Sequence, residues 1–186
     1  MGIDLSGPPR YSHVDHGRIY FWTATIHKWQ RLLQKEEYKK VIIDSLEHLS
    51  NAGRIDVFAF VIMPNHIHLI WRVNGPNGKE SPQGSFLKYT AHRFRKMLQK
   101  EDARILLNYK VSASNKAYEF WQRDSMAIRL FTKKVALQKL NYLHNNPLAE
   151  RWQLVSDACD YHYSSARYYE RDEKNFSFLK DLWEEI

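Results

Sequence analysis

The segment that most constrains the fold is a run of nine almost entirely apolar residues at positions 55–63, IDVFAFVIM. Such a run is typical of a central β-strand that is covered on both faces. Pro64 and Asn65 interrupt it, and strand character resumes over residues 66–73, HIHLIWRV. The two segments therefore predict a β-hairpin in the middle of a sheet.

Further elements are predicted on both sides of this hairpin. Residues 19–26 are β-branched and aromatic, which predicts a strand. From Glu36 onwards apolar residues recur at helical spacing, and Gly53 suits the end of that helix. A second helix is predicted from an N-cap at Ser85 to Lys100. Its apolar stripe consists of Leu87, Ala91, Phe94 and Leu98.

The second half of the chain continues the alternation. Residues 101–118 have no clear pattern and receive no predicted element, whereas residues 118–130 favour a short strand. A third helix is predicted from Thr132 to Asn146, where Pro147 stops it. Beyond it the tail is predicted to be partly helical.

The order of these elements indicates a fold class. Strand, helix, strand, strand, helix and strand follow one another, which is the βαββαβ pattern of an α+β, ferredoxin-like sandwich with an antiparallel sheet. A further helix and a helical C-terminal tail are added to that core. Because this fold serves many functions, the function has to be argued from a site.

The charge distribution indicates an anionic partner. The 186 residues include 28 basic and 21 acidic side chains, a net charge of +7, yet residues 170–186 hold three basic and six acidic groups. The preceding part is therefore more basic than the whole and also holds most of the aromatic residues. Such a surface fits the neutralisation of phosphates and stacking on bases. A solvated charged surface explains the same composition.

Other features of the sequence exclude several classes of protein. No apolar run approaches the ~20 residues of a membrane helix, and the N-terminus lacks the apolar segment of a secretory signal. We therefore expect no membrane partner and a cytoplasmic location. The single cysteine, Cys159, excludes an internal disulfide and a thiolate zinc cluster, so His, carboxylate or amide groups would have to hold any metal.

His66 and His68 are candidate metal ligands. They lie two residues apart in a predicted strand, so both side chains project from one face and Ile67, Leu69 and Trp71 project from the other. Two neutral imidazoles on one face can bind the same divalent ion. The pair also fits two polar residues on the outward face of a half-buried strand.

Tyr142 and Asn146 are the second candidate pair. Four residues apart, they share a face of the third helix that differs from its apolar stripe, which is formed by Ala136, Leu140, Leu143 and Pro147. A tyrosine hydroxyl can attack a phosphate, and an amide oxygen can complete a metal shell. Equally, Tyr142 fits a boundary aromatic and Asn146 a residue that ends a helix before proline.

Five ordered segments resemble one known family, the single-tyrosine HUH transposases, and within it the REP-associated tyrosine transposases. They read WTATIHKWQRLL (22–33), VIMPNHIHLIW (61–71), FWQRDSMAIR (120–129), YLHNNP (142–147) and YHYSSAR (161–167). The resemblance implies a catalytic domain in residues 1–150 with a ferredoxin-like fold. Residues 151–186 would form a C-terminal extension packed on or near it.

The resemblance also implies residue roles. His66 and His68 correspond to the motif that binds a divalent metal, Mg²⁺ or Mn²⁺, Tyr142 to the nucleophile and Asn146 to the third protein ligand. Such an enzyme cleaves and rejoins single-stranded DNA, through a 5′-phosphotyrosine intermediate, at a hairpin or palindromic element. It would be nucleoid-associated and act as a monomer or homodimer. The rival hydroxyls, ranked lower because none has a ligand four residues later, are Tyr161, Tyr163, Tyr168 and Tyr169.

DNA contacts are predicted on the second helix and in residues 118–130, the segment that favours a short strand. The candidates are Lys88, Arg93, Arg95, Lys96, Trp121, Arg123 and Arg129. Trp121 would be a stacking platform, although it also fits a core residue, and the basic side chains also fit a solvated face.

Two other functions stay open at this point. An RRM-like RNA-binding module has the same element order, and Phe58 to Val61 resembles part of its aromatic signature. The other is a family member that still binds DNA but no longer cleaves it. Residues 103–116 and 148–152 match no part of the family pattern.

Overall fold

The computed structural model describes residues 10–11, 14–113, 116–123 and 125–186. The strands are β1 (Arg10–Tyr11), β2 (Ile19–Thr25), β3 (Ile55–Met63), β4 (His66–Val73), β5 (Lys110–Ala113), β6 (Lys116–Tyr118) and β7 (Met126–Arg129). The helices are α1 (Glu36–Asn51), α2 (Pro82–Glu101), α3 (Ala103–Leu106), α4 (Lys133–Asn145) and α5 (Ala166–Arg171). Single 3-10 turns lie at His27–Trp29, Leu32–Gln34, Leu107–Tyr109, Asn146–Leu148, Ala158–Asp160 and Leu182–Glu184.

Five strands form one antiparallel sheet in the order β1-β7-β2-β4-β3. Apart from the short edge strand β1, its strands and the helices α1 and α2 follow the predicted βαββαβ order, so the ferredoxin-like α+β fold is confirmed. The hairpin of β3 and β4 has the predicted boundaries. Strands β5 and β6 pair with each other outside this sheet, in a region for which the sequence predicts no element, and residues 114–115 of that region lie outside the described residues.

The sheet separates two apolar cores. On one face, side chains such as Trp22 and Trp71 pack with α1 and α2. On the other face, Phe21 and Ile70 pack with α4 and the C-terminal segment. Alternation along each strand sends neighbouring residues into different cores, so residues of β4 that face α4 are separated from α1 and α2 by the sheet.

Strand β3 is an edge strand of this sheet, so its predicted central place is wrong. All nine of its residues are nevertheless buried. The C-terminal segment covers its free edge, since Ile62 N donates to Tyr163 O at 2.9 Å and Lys180 N to Val57 O at 3.0 Å. The apolar run therefore reflects burial by a later segment, which composition cannot distinguish from burial between two strands.

The burial of β3 also removes the RRM alternative. Base stacking in that class of module needs aromatic side chains exposed on the sheet. Phe58 and Phe60 are fully buried, one in each core. Neither ring is available to a base.

Helix α2 begins earlier than predicted. Its N-cap is Ser81, whose hydroxyl accepts a hydrogen bond from Gly84 N at 3.1 Å, and Pro82 occupies the first turn, where its missing N–H costs nothing. Phe94 and Leu98 of the predicted stripe are buried, whereas Leu87 and Ala91 are only partly buried. Thr90 is buried instead, and its hydroxyl donates to Phe86 O at 2.8 Å. The stripe consists of Pro82, Phe86, Thr90, Phe94 and Leu98.

Within the described ranges, no helix combines the length and apolar character needed to cross a bilayer.

Candidate active site

His66 and His68 lie on the sheet face that carries α4. Alternation along β4 places Ile67 and Leu69 in the opposite core, as predicted. Both imidazoles are buried, and their ring centroids lie 4.7 Å apart. The two side chains are therefore close enough to bind one ion together.

Each imidazole is oriented through its Nδ1 atom. Asn65 Oδ1 lies 2.7 Å from His66 Nδ1 and can only accept, so Nδ1 carries the proton. The amide nitrogen of Asn65 donates to Trp29 O at 3.4 Å, which agrees with this orientation of the amide. His68 Nδ1 shares a 2.7 Å hydrogen bond with the Thr23 hydroxyl. With Nδ1 as donor, each ring keeps an Nε2 lone pair for a metal.

Burial keeps both imidazoles neutral. Removal from water, assisted by the positive charge of Arg151, lowers the pKa of His66 to about 4. Burial also lowers the pKa of His68 well below its usual value, with smaller contributions from His66, Arg151 and Lys139. Because a metal binds the neutral imidazole, the pair is ready for an ion at neutral pH.

Tyr142 stands beside this pair. It lies on α4 away from the buried stripe, as predicted, and Ala136, Leu140 and Leu143 fill that stripe. Its ring packs edge-on against His68, with 5.4 Å between the ring centroids, and 47% of the residue is exposed. The phenol therefore meets both the histidine pair and solvent, which a nucleophile for an external substrate requires.

Asn146 follows one turn after Tyr142, at the C-cap of α4. It is buried, and its Oδ1 has no hydrogen-bond partner; His68 Nε2 is in the same state. A buried acceptor without a partner costs free energy. A divalent cation can satisfy either atom, because each offers it a lone pair. The donor set therefore fits such an ion. Among the described residues, no three His, Cys, Asp or Glu side chains form a metal site.

Two cations that lie beside the histidine pair were not predicted from the sequence. The charges of Arg151 and Lys139 both act on His68, and the Lys139 ammonium lies 5.8 Å from the centroid of the Tyr142 ring. Both suit a phosphate that approaches the pocket. The position of Lys139 could be predicted from the sequence, because it precedes Tyr142 by three residues on a helix and so shares its face. The position of Arg151 could not be predicted, because this residue follows the helix in an irregular segment.

The four basic residues predicted on α2 do not lie beside this pocket. The helix packs on the opposite face of the sheet, and their side chains are exposed there. Lys88 is also paired with Glu80 at 2.6 Å. A role in DNA binding for this set stays a prediction and concerns another side of the protein. The set comprises Lys88, Arg93, Arg95 and Lys96.

The other predicted DNA contacts are Arg123, Arg129 and Trp121, and each lies in a different setting. Arg123 is exposed, bonds to Glu119 at 3.3 Å and lines a groove that also includes Thr23. Arg129 pairs with Tyr20 at the far end of β7, away from the histidines.

Trp121 is not a stacking platform in this structure. It is buried in the core beneath α2, and its indole nitrogen donates to Thr90 Oγ1 at 2.9 Å. A ring that is enclosed and hydrogen-bonded offers no free face to a base. The sequence misleads here because a tryptophan between the apolar Phe120 and the polar Gln122 fits both settings.

Comparison with known proteins gives one result on the fold. No protein-family model matches the chain, and no curated protein matches it. A solved structure, described as a REP-associated tyrosine transposase bound to a REP hairpin, matches 88% of this chain and 84% of its own with a TM-score of 0.58 and 18% sequence identity. At this identity the match concerns the fold alone. The chain is therefore similar in fold to a REP-associated tyrosine transposase.

Proposed function

We propose that this chain is a metal-dependent endonuclease and transposase that cleaves and rejoins single-stranded DNA at hairpin elements. The observation that carries the proposal is the exposed ring of Tyr142 against the buried, neutral His68. The similarity in fold to a protein described as bound to a REP hairpin supports the choice of substrate.

The residues of the pocket divide the work. His66, His68 and Asn146 would hold Mg²⁺ or Mn²⁺, and a bound ion of this kind polarises a phosphate and offsets the charge that gathers on its oxygens. Asn65 and Thr23 orient the two imidazoles. Lys139 and Arg151 add positive charge where the DNA backbone approaches.

Tyr142 is the proposed nucleophile. Its hydroxyl oxygen forms a bond to the scissile phosphorus while the bond from phosphorus to the 3′ oxygen breaks. The phenol gives up its proton, and the departing 3′ oxygen gains one. The products are a 5′-phosphotyrosine and a free 3′-hydroxyl, and attack by another 3′-hydroxyl on the link rejoins DNA without ATP.

Two rival hydroxyls are already engaged in the fold. Tyr161 OH donates to Ile62 O at 2.7 Å, and Tyr169 OH donates to Phe58 O at 2.8 Å. Both bonds anchor the C-terminal segment to β3. Their loss would weaken the fold, so neither hydroxyl suits attack on DNA. Tyr163 lies under the Lys39 ammonium, 4.6 Å from the ring centroid.

The test is the formation of a covalent adduct. Labelled single-stranded hairpin DNA is incubated with the protein and Mn²⁺, then separated under denaturing conditions. We expect a labelled protein band that disappears with chelator and in Tyr142→Phe. Tyr163→Phe, a partly buried rival, is the matched control and should keep the band. Adduct formation by Tyr142→Phe would contradict the nucleophile assignment.

One further variant separates binding from cleavage. His68→Ala should lose the adduct but retain hairpin binding, because the basic side chains around the pocket remain. A wild-type protein that binds the hairpin without forming an adduct would contradict the proposed enzyme and favour a family member without turnover.

A further inference from the structure

A small groove runs along the sheet beside the histidine pair. It encloses about 180 Å³. A cavity of about 150 Å³ accepts one benzene-sized ring, so the groove has room for about one planar ring. The groove is lined by Thr23, Thr25, Trp29, Gln122, Arg123, Ser125 and Met126.

The groove and the histidine pocket share a wall. Thr23 lines the groove, and its hydroxyl shares the 2.7 Å hydrogen bond with His68 Nδ1. In the sheet Thr23 lies opposite His68 on β4 and opposite Met126 on β7. A ligand in the groove would therefore lie one strand away from the imidazole on the same face.

Trp29 is an unusual residue for a surface loop. It is 60% exposed, and both it and Lys28 have left-handed backbone conformations, with φ of +58° and +51°. This region is strained for residues with a bulky side chain. Core burial does not explain an exposed tryptophan there, and such strain is typical of functional sites.

The strained loop is held firmly in place. Trp29 N donates to Ile26 O at 2.9 Å, His27 N donates to Phe120 O at 2.8 Å, and Trp29 O accepts from Asn65 Nδ2. Asn65 is also the residue that orients His66. The backbone that carries Trp29 is therefore fixed relative to the two imidazoles.

From these observations we infer that the groove binds one unpaired nucleobase of the single strand next to the scissile phosphate. The inference rests on the proposed function and names a base-binding subsite for it. Trp29 stacks on the base, as exposed aromatic rings do in single-strand binding. Thr25 and Gln122 offer hydrogen-bonding groups to the base edge.

Arg123 supplies charge for the adjoining phosphate. Its side chain is 67% exposed and bonds to Glu119, a carboxylate that also bonds Lys116. Two cations thus share one carboxylate, so Glu119 only partly neutralises Arg123 at the groove. A backbone phosphate next to the bound base is the ligand that this charge fits.

Binding without chemistry tests the inference. A fluorescein-labelled single strand of 12 mixed-sequence nucleotides is titrated with the full chain in chelator, and anisotropy gives the affinity. Trp29→Leu should weaken binding by about 5- to 150-fold, the range that corresponds to stacking on one base, while Trp29→Phe should keep most of the affinity. Arg123→Gln should lower the salt slope by about 0.7.

The matched control is Phe131→Leu, which removes another exposed ring, 57% accessible, beyond the far end of β7. It should bind like the wild type, and circular dichroism should show all variants folded. Equal affinity for Trp29→Leu and wild type, or no single-strand binding by wild type, would overturn the groove assignment. Trp29-dependent binding supports it even where no adduct forms at Tyr142, a result that overturns only the proposed chemistry.

Discussion

Replacing Asn146 by leucine should stabilise the metal-free protein. Asn146 Oδ1 is buried without a partner, and an unsatisfied buried acceptor costs about 1–3 kcal/mol. Leucine has a similar volume and no such group, so Asn146→Leu should raise the free energy of unfolding in chelator by about 1–2 kcal/mol. For a chain of this size that corresponds to an increase in Tm of about 2–8 °C.

The same substitution should remove much of the response to metal. An ion present at about 100 times its Kd stabilises a folded protein by about 2.7 kcal/mol, so Mn²⁺ should raise the wild-type Tm clearly. Asn146→Leu lacks one of three proposed protein ligands and should show less than half of that increase. Thermal unfolding with chelator and with Mn²⁺ measures both effects.

The neighbouring Asn145 provides the control. It is exposed, and Asn145→Leu should leave both the chelator Tm and the response to Mn²⁺ near wild type. Lower stability of Asn146→Leu than of wild type in chelator would refute the cost assigned to the buried amide oxygen. Equal stabilisation of the variant and the wild type by Mn²⁺ would refute Asn146 as a metal ligand.

Three further predictions concern charge and strain. Burial holds the pKa of His66 and of His144 at about 4. Between pH 4 and pH 6.5 the folded chain therefore binds fewer protons than the unfolded one. The free energy of unfolding should be constant above pH 6.5 and fall by about 1.4 kcal/mol per pH unit per histidine towards pH 4. Urea unfolding should show this, with a smaller slope in His144→Gln; a flat profile would contradict it. Arg151→Gln should lower the salt slope of metal-free DNA binding by about 0.7, and an unchanged slope would exclude a phosphate contact. Lys28→Gly relieves a left-handed residue and should raise the unfolding free energy by up to about 1 kcal/mol, whereas a lower Tm would show that the conformation is unstrained.

Periodicity in the sequence predicts the elements around the site well. His66 and His68 share a face because alternation along a strand is geometric, and the buried stripe of α4 leaves Tyr142 outside for the same kind of reason. These relations depend only on residues that are close in the chain. They therefore hold in the folded structure as predicted.

Relations between distant segments could not be predicted. The C-terminal segment covers the edge of β3, so an apolar run expected in the middle of the sheet lies at its margin. Trp121 is buried against α2, where Thr90, 31 residues earlier, accepts its indole hydrogen. The basic face of α2 lies across the sheet from the histidines, which charge counting cannot reveal. Arg151 reaches the pocket only through the path of the chain after α4.

The central claim is that Tyr142 forms the covalent link to DNA. Wild-type protein is reacted with single-stranded hairpin DNA and Mn²⁺, treated with nuclease and protease, and examined by mass spectrometry for a peptide carrying a residual nucleotide. We predict the added mass on the peptide that contains Tyr142 and on that tyrosine. Attachment at any other residue, or cleavage of the DNA with no modified peptide, would contradict the account.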